Sequence, residues 1–260
     1  MSRSALITGA SGGIGYELAL LFARDGFDCI LVARSQPKLE EVAARLESEF
    51  RVKTHVIPRD LSRATAVDEI YEEVTARSVP VEALVNNAGF PVFGPFVETD
   101  LKAELEMLQV NVVALTALTK LFLRPMVERR SGRILNLAST AAFLPGPLMA
   151  AYYASKAYVL SFSEALANEL RGTGVTVTAL SPGPTRTGFQ KRGAMEDSRL
   201  VQGNIADARS VALAGYRGMM AGKTLVIPGF SNKLIPWVVR LSPRSVVPRV
   251  VHRMQQRVSH

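Results

Sequence analysis

A single cysteine, Cys29, stands in a chain of 260 residues. It excludes an intramolecular disulfide and any site built from several thiolates, so nothing calls for an oxidising compartment and a cytoplasmic protein is expected. Histidine is almost as scarce. His55, His252 and His260 fall outside every loop that carries a motif, which disfavours both a Ser-His-Asp hydrolase and a zinc-dependent enzyme, and no metal site is expected. Clean apolar runs are also missing from the two most hydrophobic stretches. Gly9, Gly12, Gly13, Gly15 and Glu17 interrupt the N-terminal one, and Asn136, Pro145, Pro147 and Lys156 interrupt the one from Ile134 to Phe162. Neither a signal peptide nor a membrane-spanning helix is expected from them.

Acidic residues stop at Asp207. Residues 1–208 hold 22 Lys and Arg against 23 Asp and Glu, whereas residues 209–260 hold nine basic residues and no acidic one. The net charge of +8 therefore belongs to a C-terminal tail. A nucleic-acid partner is not expected, because the tail has no recognition motif and only Trp237 as a stacking aromatic.

What is present is a recurring alternation. Runs rich in Val, Ile and Leu, at Ser4–Thr8, Cys29–Ala33, Val52–Ile57, Ala83–Asn86, Gly132–Ala138, Val175–Leu180 and Thr224–Ile227, predict seven strands. Stretches of helical period lie between them, at Ile14–Arg24, Pro37–Phe50, Ala64–Ala76, Leu101–Arg129, Ala151–Arg171 and Asp207–Ala221. This pattern predicts an α/β chain with a doubly wound, seven-stranded parallel sheet and helices on both faces. Ligands of such sheets bind beyond the carboxyl ends of the strands, so chemistry is sought there.

Thr8-Gly9-Ala10-Ser11-Gly12-Gly13-Ile14-Gly15 follows the first strand and opens straight into a helix. Glycines there let the backbone approach a pyrophosphate, and the helix N-terminus offers free N–H groups, although a plain tight turn would use glycines too. At the end of the second strand, where a dinucleotide's adenosine ribose lies, Ala33-Arg34 stands in place of an acidic residue. A guanidinium there favours a 2′-phosphate, so NADP(H) is expected over NAD(H). Tyr152 and Lys156 are four apart in a helical stretch and share one face. That spacing is common by chance, and its meaning comes from Ser139, thirteen residues before Tyr152.

Together, the loop Thr8 to Gly15, Asn86-Asn87-Ala88-Gly89, Ser139, Tyr152 with Lys156, and Pro182-Gly183 resemble the short-chain dehydrogenase/reductase family in order and spacing, over about residues 4 to 229. The resemblance implies a single Rossmann-type catalytic domain over residues 1–229 that moves a hydride between a nicotinamide and a carbonyl or secondary alcohol. Tyr152 would be the general acid/base, Ser139 would hold the substrate oxygen, Lys156 would lower the tyrosine pKa and hold the nicotinamide ribose, and Asn111 would support a water relay. The implied cofactor contacts are Gly9, Ser11, Gly12, Gly13, Ile14, Gly15, Arg34, Ser35, Asp60, Leu61, Asn87, Ala88, Gly89, Pro182, Gly183, Thr185 and Thr187, with Tyr152 and Lys156. A homodimer or homotetramer is implied as well. A neutral Tyr–Ser pair suits this chemistry, since it sets donors on developing alkoxide charge without a metal. A cofactor-binding sensor or scaffold without turnover is the reading from another class.

The loops around the expected reaction centre are apolar, with Phe90, Val92, Phe93, Phe143 and Met149, and Phe189 follows the sixth strand beside Arg186, Lys191 and Arg192 in a segment that reads as a lid. A bulky, lipid-like ketone, aldehyde or secondary alcohol is expected, with a 3-oxoacyl thioester on an acidic carrier as the narrower alternative. Arg129, Arg130 and Arg171 would then form the docking patch. Residues 230–260 read as a basic amphipathic extension. Val246, Val247, Val250, Val251 and Met254 form an apolar stripe beside Arg249, Arg253 and Arg257. Such a helix either packs on this domain or a partner subunit, or lies on an anionic membrane surface.

Overall fold

The computed structural model describes residues 3–188 and 205–256. In chain order the elements are β1 (Ser4–Thr8), α1 (Gly13–Arg24), β2 (Asp28–Ala33), α2 (Gln36–Phe50), β3 (Thr54–Pro58), α3 (Ala66–Ala76), β4 (Val81–Asn86) and α4 (Leu101–Glu128). After them come β5 (Gly132–Leu137), α5 (Ala150–Glu169), β6 (Val175–Leu180), β7 (Thr185–Arg186), β8 (Ala206–Asp207), α6 (Ala208–Met220), β9 (Leu225–Val226), α7 (Phe230–Leu241) and α8 (Val247–Gln255). Seven strands form one parallel sheet in the order β3-β2-β1-β4-β5-β6-β9. The chain leaves β1 in one direction and returns to pair β4 on its other side, so the strand order reverses between β1 and β4. A crevice opens there beyond the strand ends.

Alternation along the strands splits the core between the two faces. Leu6, Ile30, Val32, Leu84 and Ile134 pack with residues of α3, α4 and α5, while Ala5, Ile7, Leu31, Val85 and Leu135 pack with α1, α2 and α6. Phe22 of α1 stands edge-on to Phe27 and to Tyr216 of α6, with ring centroids 5.2 and 4.9 Å apart. Cys29 is buried in β2, and burial pushes its thiol up to about 12, which makes it unreactive.

Several boundaries differ from the sequence pattern for local reasons. The third strand begins at Thr54 and not Val52, because Arg51 ends α2 in the left-handed conformation, at φ 58°. β9 is confined to two residues before Pro228, which has no N–H to extend the ladder. The pairing of β7 with β8 had no counterpart in the sequence reading. α4 is long and apolar enough to cross a membrane, yet its Met107, Val110, Leu118, Phe122 and Met126 are buried in the core. A π turn over Gln109–Ala114 interrupts it.

The apolar stripe expected in the tail is divided. Val247 and Val251 are buried in the same core cluster as Tyr152 and Tyr153, whereas Val246, Val250 and Met254 stay exposed. Val247, Val251 and Gln255 recur at intervals of four and form the inward face of α8, and the other stripe residues lie around the helix from it. Arg257 and the lid residues Phe189, Lys191 and Arg192 lie outside the described residues.

Candidate active site

At the switch point lies a cleft of about 800 Å³. Its floor is the glycine loop. Gly9 and Gly13 hold positive φ angles of 68° and 57°, and a Cβ on Gly9 would press on Asn87 Nδ2 at 2.7 Å. Gly12 caps α1 without any side-chain bond to its first turn, leaving helix N–H groups for an anion. Gly15 does not line the cleft. Its Cβ would meet Gly9 O at 2.3 Å, so this glycine allows the helix to pack on its own loop.

Thr8 and Asn87 fix the loop against the neighbouring strand end. The Thr8 hydroxyl donates to Val85 O and accepts from the N–H groups of Asn87 and Ala88 at 2.9 and 3.0 Å, while Asn87 Nδ2 donates to Thr8 O at 2.8 Å. The sequence reading took Thr8 as the start of the loop but gave its hydroxyl no role, although a hydroxyl at the last position of an otherwise apolar strand was the signal. A second buried chain was also missed. Asn86 Nδ2 donates to Thr119 Oγ1 and to Asn136 Oδ1, and Asn136 Nδ2 donates to Ser163 Oγ, tying β4 and β5 to α4 and α5.

Along the cleft run Ser11, Ile14, Arg34, Ser35, Asp60, Leu61, Ala88, Gly89 and Thr187, all expected, together with Lys38, Arg59, Val110, Leu137 and Gly188, which were not. Arg34 and Lys38 are exposed and, among the described residues, form no ion pair. Arg59 is instead held by Glu69 and Glu73. Ser35 caps α2 without bonding its first turn, so its hydroxyl and the helix N–H groups stand beside the two free cations. This corner matches a phosphomonoester on a ribose. Asp60 is bonded to the N–H and hydroxyl of Ser62. Pro182, Gly183 and Thr185, also expected, are not among the residues that line the cleft. The Pro182 carbonyl accepts from Thr140 N at 2.9 Å, and the Thr185 hydroxyl donates to Gly183 O at 2.9 Å.

Gly89 and Leu137 line the cleft, and behind them, outside its lining, lie four polar side chains. Lys156 is 4% exposed and donates to Leu137 O at 2.7 Å, with its Nζ 5.8 Å from the centroid of the Tyr152 ring. Burial lowers its pKa to about 8. The Tyr152 hydroxyl is raised by burial and drawn back down by its hydrogen bond with Ser139. Ser139 in turn accepts from Ala141 N at 3.1 Å. Asn111 lies in the π turn of α4, where the extra residue per turn re-aims a side chain. Its Nδ2 donates to Phe90 O and Ser155 Oγ, its Oδ1 accepts from Phe90 N, and a Cβ on Gly89 would lie 2.9 Å from that oxygen and 3.5 Å from Lys156 Nζ. So the four side chains expected from the sequence converge. Among the described residues no three His, Cys, Asp or Glu side chains are grouped to hold a metal.

The apolar loops divide. Phe90 and Met149 are buried in the cluster that contains Tyr152, with Val92 and Phe93 packed against it, and Gly94 N donates to Leu148 O to join the two loops. Phe143, the last residue of the 3₁₀ turn Thr140–Phe143, packs instead against a separate small cluster that contains Leu115, Ala138, Val159 and Leu160.

Residues 3–197 match the short chain dehydrogenase family. The chain belongs to that family. It is 36% identical over 193 residues to a very-long-chain 3-oxoacyl-CoA reductase of Phaeosphaeria nodorum, covering 72% of this chain and 56% of that protein. It is 35% identical over 185 residues to 17-beta-hydroxysteroid dehydrogenase type 3 of Mus musculus, covering 70% and 60%. The chain thus spans well under two thirds of these relatives' length. A solved short-chain dehydrogenase from Sphingobium yanoikuyae in complex with NADPH superposes with a TM-score of 0.84 at 29% identity, covering 100% of this chain and 99% of that one. This member's seven-stranded sheet is the Rossmann-type arrangement of that neighbour.

Proposed function

We propose that this protein is an NADP(H)-dependent oxidoreductase that reduces the carbonyl of an apolar substrate, or oxidises the matching secondary alcohol. The observation that carries the reading is the convergence of Tyr152, hydrogen-bonded to Ser139, with buried Lys156 and Asn111 directly behind Gly89 and Leu137, two residues that line the cleft. The glycine cradle and the free N–H groups of α1 fit a pyrophosphate, and Arg34, Lys38 and Ser35 fit a 2′-phosphate. When bound, the nicotinamide supplies or accepts the hydride. Tyr152 holds the proton that the substrate oxygen needs, Ser139 donates to the same oxygen, and the Lys156 ammonium favours the tyrosinate. Lys156 and Asn111 share the space beside Gly89, where a water could join them to the cleft.

The two relatives support an apolar substrate, since one is named for a very-long-chain 3-oxoacyl thioester and the other for a hydroxysteroid. The 3-oxoacyl thioester reading is favoured by the first of them. A docking patch of arginines supports it less, because the Arg129 guanidinium donates to the Val81 carbonyl and is tied down.

The test is oxidation of NADPH by purified protein against bulky ketones, sterol ketones and 3-oxoacyl thioesters, with NADH in parallel. Turnover of apolar substrates with preference for NADPH is the expected result, and tight NADPH binding with no turnover would replace the enzyme by a sensor. Arg34→Ala is expected to weaken NADPH binding roughly ten- to hundredfold, the worth of a charge-assisted hydrogen bond of about 1.5–3 kcal/mol, and to leave NADH binding unchanged. Fluorescence titration of both cofactors measures this. An unaltered preference would show that Arg34 is not the selector.

A further inference from the structure

We infer that α7 and the outer face of α8 form a docking surface for an anionic lipid bilayer, placed at the substrate end of the site. α7 has no buried residue along its length. At about 100° per residue its side chains fall into three sectors. Asn232, Ile235 and Val239 face the protein and are half-buried. On the opposite side Phe230, Leu234, Trp237, Val238 and Leu241 make a continuous apolar stripe, with Phe230 81% and Leu241 84% exposed. Lys233 and Arg240 flank that stripe. Val250 and Met254 of α8 are exposed apolar side chains as well, and Arg244, Arg249 and Arg253 are exposed cations in and before the same helix. Among the described residues none of these five cations forms an ion pair.

Charge decides what covers this surface. A second copy of the chain docked face to face would bring five unpaired cations against five more, with no acidic residue from position 209 onward to separate them. An anionic membrane supplies the missing negative charge and takes up the apolar stripe, and a tryptophan beside basic residues is the composition of an interfacial helix. The surface is also tied to the site. Asn232 donates to Pro228 O at 2.7 Å and closes on Gly183, so that a Cβ there would lie 2.7 Å from it. α7 packs on the turn Thr140–Phe143 that follows Ser139, and Gln255 of α8 donates to the Tyr153 hydroxyl beside Tyr152. Docking would therefore turn the apolar loops of the site toward the lipid. The docking itself does not depend on which substrate is used.

Sedimentation of the full chain with vesicles of phosphatidylcholine alone and of phosphatidylcholine mixed with phosphatidylglycerol tests the inference. Binding to the mixed vesicles is expected to exceed binding to the neutral ones by about tenfold or more, to fall with added salt, and to drop to the neutral level in the double variant Trp237→Glu/Leu241→Glu. Both positions are exposed, so the variant keeps the wild-type far-ultraviolet circular dichroism. Equal sedimentation with both vesicles would overturn the inference, as would a folded double variant that binds like the wild type. A lower solution mass for the variant in analytical ultracentrifugation would overturn it in favour of a contact between copies.

Discussion

Tyr152→Phe is expected to cut turnover of NADPH with an apolar ketone by about 10²–10⁴-fold while changing NADPH affinity far less. Phenylalanine keeps the ring, its edge-on contact with Tyr153 at 6.0 Å and its burial, and removes only the hydroxyl that Ser139 holds. Cleft residues on the cofactor side, from Gly9 to Thr187, are untouched. Steady-state kcat beside a fluorescence titration of NADPH checks both halves, and a variant with wild-type kcat would remove Tyr152 from the reaction. The pH dependence of the wild-type reaction in each direction follows from the same hydroxyl. Burial raises its pKa, so at neutral pH it holds its proton and is ready to give it to a carbonyl oxygen. Alcohol oxidation needs the deprotonated form. The oxidation rate should therefore climb as the pH rises above neutrality, while reduction holds or declines.

How much of this could be read from the sequence depends on whether a residue's role is local. The glycine loop, Asn87 and Ser139 each follow the end of a strand, and in a parallel sheet all strand ends of one kind lie on one edge. Tyr152 and Lys156, inside α5, were joined to those three by the resemblance to the short-chain dehydrogenase/reductase family, whereas seven apolar runs were enough to bring the three together. Arg34 was legible for the same reason, and Lys38 could have been, since it stands four residues later on the first turn of the helix that Ser35 caps. Other contacts depend on distant segments. The Asn86–Asn136–Ser163 chain joins positions 50 and 27 residues apart, and no local pattern announces such a pairing. Gln255 bonds to a tyrosine 102 residues away, yet its spacing of four from Val251, itself four from Val247, was the signal that it faces inward with them. Phe143 shows the converse. Its composition suited a pocket, but the turn after β5 points it into a different cluster.

Lys156→Met is expected to abolish turnover and, at neutral pH, to make the protein more stable. An ammonium group buried to this degree has one described hydrogen bond, to Leu137 O, and burial takes its pKa from 10.5 to about 8. Folded protein thus releases this proton more readily than unfolded chain. Below pH 8 both states are protonated, and holding the charge inside costs the fold about 3 kcal/mol by linkage, at about 1.4 kcal/mol for each pKa unit. Between pH 8 and 10.5 the folded state has lost the proton that the unfolded state still binds, so this cost shrinks as the pH rises and is gone above 10.5. Methionine has a similar length, carries no charge and suits a buried site, although it leaves the Leu137 carbonyl without its donor, which costs about 1–3 kcal/mol. The net gain at pH 7 is then on the order of 1 kcal/mol. Its dependence on pH is the sharper measurement. Urea unfolding of both proteins from pH 7 to 10.5 should show the variant's advantage falling by about 3 kcal/mol and reversing sign. A difference that stays constant across that range would mean that Lys156 is not held charged at a cost. The sign matters for function as well as stability. A lysine whose charge the fold would gain by discarding is kept where it can favour a tyrosinate, so the loss of stability and the placement of a cation beside Tyr152 are the same physical fact.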